Sequence, residues 1–106
     1  MIKGKYKAAF IILKGVGRKL TDDGWEFTDN SGFHQDILTD IKNFLGDCVS
    51  ELPNSVDKNQ LKVEVFQLDD GLIESIYIRD YTSNMSYIEE IKGLLEDNSQ
   101  LELFVP

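Results

Sequence analysis

The sequence predicts an α+β fold of the ferredoxin-like, split βαβ type, and three observations carry the prediction. An uninterrupted apolar run lies near the N-terminus, two segments have helical periodicity, and an alternating hairpin sits between them. In order these read β, helix, hairpin, helix, β, with an extra loop or hairpin after the first strand. At 106 residues the chain has the length of one domain, read as spanning 1–106.

The first strand covers Tyr6 to Lys14. Its residues Ala8 to Leu13 are apolar at consecutive positions rather than alternating, so both of its faces are expected to be covered and the strand to be central in its sheet. Residues 15–32 are rich in breakers. Asp23-Gly24, between Leu20-Thr21 and Trp25-Glu26-Phe27, has the composition of a two-residue hairpin turn, expected at a sheet edge or over the face away from the helices.

Phe33 to Leu52 has helical spacing of Ile37, Ile41, Phe44, Leu45, Cys48, Val49 and Leu52, with Asn30 or Ser31 as cap and Pro53 as stop. The segment from Pro53 to Asn59 reads as a polar connection. Leu61 to Leu68 and Leu72 to Tyr81 alternate around a primed turn at Asp70-Gly71. Ser86 and Glu89 have capping-box spacing at the head of a second helix ending near Asn98, and Leu101, Leu103 and Val105 alternate in a last strand.

Composition excludes several classes of function. No apolar run approaches the ~20 residues that cross a bilayer, and no secretory leader is recognisable, so cytoplasm is the expected compartment and membrane is not an expected partner. With one cysteine and one histidine the chain cannot supply the four ligands of a structural zinc site. On a single helix His34 and Cys48 would lie ~21 Å apart, too far for a nucleophile–base pair. Cys48 falls in the apolar stripe as a small core residue. No cofactor or catalytic residue is expected, and the chain reads as non-enzymatic.

Charge is the most informative feature. The formal net charge is −8, yet residues 1–19 contain Lys3, Lys5, Lys7, Lys14, Arg18 and Lys19 and no acid. The remainder is therefore strongly acidic, repelling nucleic acid and attracting basic partners. On an unbroken helix over 33–52, Asp36, Asp40, Asp47 and Glu51 fall within a stripe about 60° wide and ~22 Å long. Such a row can mimic a phosphate backbone or dock in a basic groove.

These observations lead to an interaction module that blocks a basic, nucleic-acid-handling partner without binding nucleic acid itself. Its expected contacts are Asp36, Asp40, Asp47 and Glu51, with Asp69 and Asp70 at the hairpin tip as a second contact. In size and charge the chain resembles phage anti-defence inhibitors such as anti-CRISPR proteins, DNA mimics and nuclease immunity proteins. An apolar patch on the open sheet face would allow a homodimer.

Two alternatives come from other residues. Lys14-Gly-Val-Gly-Arg-Lys19 has the raw material of an anion nest, which would make the chain a sensor of a phosphorylated small molecule through Lys14, Arg18 and Lys19. Tyr77, Arg79 and Tyr81 share one face of a strand, as do Lys3, Lys5 and Lys7, and together they could form a small stacking platform for RNA.

Overall fold

A computed structural model describes residues 7–28, 31–49, 51–52, 54–58, 61–81, 86–98 and 100–106, with the backbone alone for Lys7, Asp47, Cys48, Lys58 and Ser86. The fold is α+β, with seven strands and two α-helices among these residues. Five strands form one antiparallel sheet: β1 (Lys7–Leu13), β4 (Val56–Lys58), β5 (Leu61–Gln67), β6 (Ile73–Asp80) and β7 (Leu101–Phe104), in the order β4-β5-β6-β1-β7. β2 (Gly17–Thr21) and β3 (Gly24–Thr28) pair only with each other.

The uninterrupted apolar run of β1 has the expected consequence. The strand lies between β6 and β7, with Phe10 opposite Tyr77 on one side and Phe104 on the other. Ala9 and Ile11 belong to the main core with Ile76 and Ile78, packed under α1 (Asp36–Leu45) and α2 (Ser86–Glu96) through Ile37, Ile41, Ile88 and Ile91. Fully burying a side chain such as Ile41 stabilises the fold by roughly 1.5–3 kcal/mol. Ile12, on the opposite face, is buried with Val16 and Phe27 in a second cluster beneath the β2–β3 hairpin. The 15–32 segment is thus a hairpin lying over the face away from the helices.

Several boundaries differ from the sequence reading. α1 begins at Asp36 because Phe33 is drawn into a bridge with Ile73, whose backbone N–H and C=O pair with its own at 2.8 and 2.9 Å. Gln35 occupies the N-cap position. The helix ends at Leu45 because Gly46 turns the backbone to φ 73° and ψ −150°, a conformation other residues reach only at a cost. A 3₁₀ turn, Gly46–Val49, follows. Val49 and Leu52 remain buried there, so apolar spacing continues past the helix and conceals its end. Pro53, Asn30 and the side chain of Cys48 lie outside what is described.

The connection over 53–59 is not merely polar, for it contains β4, whose Val56 faces Val63 and is buried. A three-residue edge strand with one inward apolar side chain carries almost no alternation to read. Both hairpin turns shift from expectation. Asp22 and Asp23 form the first, with Gly24 at φ 114° just beyond. The second is a three-residue loop, Asp69-Asp70-Gly71, in which the Leu68 N–H donates to the Leu72 carbonyl at 2.8 Å and Gly71 adopts φ 88°, the bulged form of hairpin.

Candidate partner-binding surface

The expected acidic row does not survive as one helical stripe. Asp36 and Asp40 are exposed on α1, whereas Asp47 belongs to the 3₁₀ turn and Glu51 to the turn beyond it, so the positions assumed for an unbroken helix do not apply to them. The Asp47 side chain is outside what is described. What the fold does bring together is Asp36, Asp40 and the β5–β6 tip.

That juxtaposition has a definite cause. Gln35, directly before Asp36, donates from Nε2 to the Gly71 carbonyl at 2.9 Å, and the Phe33–Ile73 bridge ties the same chain segment to the base of the tip. Asp69 and Asp70 are exposed there, and Asp70 accepts the Leu72 N–H at 3.0 Å, which fixes its carboxylate within the turn. His34 Nδ1 lies 3.2 Å from the Asp36 carboxylate, and both side chains are exposed.

On its other side α1 approaches the end of α2. Asp36 and Asp40 line a hollow of about 250 Å³ with Asn98 and Gln100, residues that follow Glu96 and Asp97 at the end of α2. Glu89 and Glu90 are exposed on the same helix. Across the helix layer the exposed carboxylates Asp36, Asp40, Glu89, Glu90, Glu96 and Asp97 outnumber its two lysines, Lys42 and Lys92. The α2 contribution escapes sequence reading because Glu89, Glu90 and Glu96 have no regular spacing with the α1 acids. Only packing of both helices on one sheet face unites them.

In the Lys14–Lys19 segment two of the three cations contact other parts of the chain. Lys14 donates from Nζ to the Asn98 carbonyl at 3.0 Å and from its backbone to that of Gln100 at 2.8 Å. Val16 is buried, and the chain passes at once into β2. Arg18 forms an ion pair with Glu102 and lays its guanidinium 4.6 Å from the centre of the Phe104 ring. Lys14 and Arg18 therefore fasten the hairpin to the end of the sheet, and Lys19 is exposed.

On the sheet face away from the helices, Tyr77, Arg79 and Tyr81 do share one side. Arg79 donates from Nε to the Tyr77 hydroxyl at 2.9 Å and from Nη1 to the Tyr81 hydroxyl at 3.3 Å. The Tyr81 bond raises the guanidinium further above the usual arginine range, partial burial opposes it, and the Tyr77 bond adds to the rise. Its positive charge is permanent. Lys3 and Lys5 lie outside the described residues, as does the Lys7 side chain.

Among the described residues no three His, Cys, Asp or Glu side chains are grouped as metal ligands, and no helix is long and apolar enough to cross a membrane. No family model, curated protein or solved structure matches the chain.

Proposed function

We propose that this protein is a non-enzymatic interaction module that docks on the basic surface of a nucleic-acid-handling protein and blocks it. The observation that supports the reading is the number of exposed carboxylates on the helix layer and the adjoining β5–β6 tip: Asp69 and Asp70 at the tip, Asp36 and Asp40 on α1, and Glu96 and Asp97 at the end of α2. A surface of one sign steers an oppositely charged partner and rejects like-charged ones.

In this reading the scaffold is ferredoxin-like: strands β5, β6, β1 and β7 lie in that order with both helices on one face, and β4 and the β2–β3 hairpin are additions. The inhibitor types consistent with it are anti-defence proteins, DNA mimics and nuclease immunity proteins. The test is reversal of the patch: Asp36, Asp40, Glu96 and Asp97 changed together to lysine. All four are exposed, so the fold is expected to persist while partner binding is lost. Unchanged binding by a folded variant would refute the assignment.

A further inference from the structure

The sheet face opposite the helices is only half covered. The β2–β3 hairpin lies over β1 and β7, where Phe27 meets Phe10 at 5.2 Å and Trp25 meets Phe104 at 4.9 Å. Beside it runs a groove of about 540 Å³ with Trp25 on the hairpin wall, Phe66 on β5, and Phe10 and Tyr77 among its lining residues. That volume suits a small molecule. Phe66 is 41% exposed, a large apolar side chain left partly in water beside the groove.

The charged lining residues of the groove are Lys62, Arg79, Glu64 and Glu74 on the sheet and Asp23 at the hairpin turn. At one end Lys62 and Arg79 are direct cross-strand partners on the same face. Like charges directly opposite each other are destabilising. Tyr77 accepts from Arg79 and so retains its own hydroxyl hydrogen to donate. Four residues along β5, ~13 Å away, the Phe66–Ser75 row adjoins Glu74. Between them lies Glu64, bridged to Lys62 at 3.5 Å. Cations and a phenol at one end, aromatic walls, and carboxylate acceptors farther along match a phosphate, a planar base and the hydroxyl or amino donors of one nucleotide.

We propose that this groove binds a free nucleoside monophosphate, with its phosphate at Lys62 and Arg79 and its base against Trp25 and Phe66. A free mononucleotide fits better than a strand, because a net charge of −8 opposes a ligand carrying many phosphates. The site lies on the sheet face away from the acidic patch and stands independently of it.

Trp25 is the only tryptophan, so its indole N–H gives one reporter signal in a proton–nitrogen correlation spectrum of the full chain. Titration with AMP up to about 10 mM is expected to move that signal saturably, a range that approaches saturation for a Kd of about 1 mM or tighter. Adenosine is expected to bind at least about tenfold more weakly, as is AMP to Lys62→Glu, since each lacks a charge-assisted contact between the phosphate and Lys62. Lys62 is half-exposed, and an otherwise unchanged spectrum of the variant verifies its fold. No saturable shift, equal affinity for adenosine, or unaltered AMP binding by the folded variant would overturn the proposal. Tighter binding of hexa-adenylate than of AMP would also overturn it, by assigning the groove to a strand.

Discussion

Asp80 is a carboxylate with no exposed surface at the end of an interior strand, and its removal is expected to loosen α2 selectively. Its Oδ2 accepts the backbone N–H of Tyr87 at 2.8 Å and of Ile88 at 3.1 Å, the second and third residues of the helix. A carboxylate at a helix N-terminus satisfies amides that have no partner within the helix and complements the helix dipole. Asp80→Ala leaves both amides facing a small cavity. With each charge-assisted bond contributing about 1.5–3 kcal/mol and the loss of a cap costing about 0.5–2 kcal/mol, overlapping effects, a net loss near 3 kcal/mol is expected. For a domain of this size that corresponds to a fall in Tm on the order of 15 °C. Asp80→Asn keeps one carbonyl acceptor and should lose about 1 kcal/mol. Urea unfolding followed by far-UV circular dichroism measures both, and hydrogen exchange at Tyr87 and Ile88 locates the effect. An Asp80→Ala protein within about 0.5 kcal/mol of the parent would refute the capping role.

Three further outcomes follow from the packing. Gly93→Ala should stabilise the protein by about 0.5–1 kcal/mol in thermal unfolding, because the site is helical and an added Cβ meets nothing within 4 Å. Gly32→Ala should destabilise it by at least about 1–2 kcal/mol, since φ is +83° and the new Cβ would meet Leu68 Cδ1 at 2.7 Å and Leu72 Cβ at 2.9 Å. Arg18→Ala should cost about 1 kcal/mol by removing the Glu102 pair and the contact with the Phe104 ring, and should speed amide exchange in β2 and β3 while sparing α1.

Much of the architecture is legible from residue pattern alone, for reasons visible in particular segments. Consecutive apolar residues in β1 mean two covered faces, and the fold covers one with helices and the other with a hairpin. Alternation in β5 and β6 survives because their inward residues Leu61, Val63, Ile76 and Ile78 all enter one core. The end of α1 is hidden for a physical reason: Val49 and Leu52 must be buried whether the chain is α-helical or 3₁₀, so their spacing does not distinguish the two. Gly46 is the available signal, and its meaning depends on a backbone angle.

The candidate surface follows the same division. Asp36 and Asp40 are legible as neighbours because they share a short stretch of helix. Their proximity to Asp69 and Asp70 depends on a hydrogen bond between Gln35 and Gly71, and their approach to the end of α2 depends on tertiary packing. The stripe through Asp47 and Glu51 relied on helical geometry extended past its end. In the Lys14–Lys19 segment composition suggests an anion site, but contacts with Asn98, Glu102 and Phe104 engage two of its three cations.

The most direct test compares affinity capture from cell extract by the parent protein and by the folded Asp36/Asp40/Glu96/Asp97→Lys variant, with washes at low and high salt. A nucleic-acid-handling protein held by the parent at low salt, released at high salt and absent from the variant is the expected result. The same proteins held equally by both would contradict an acidic docking surface.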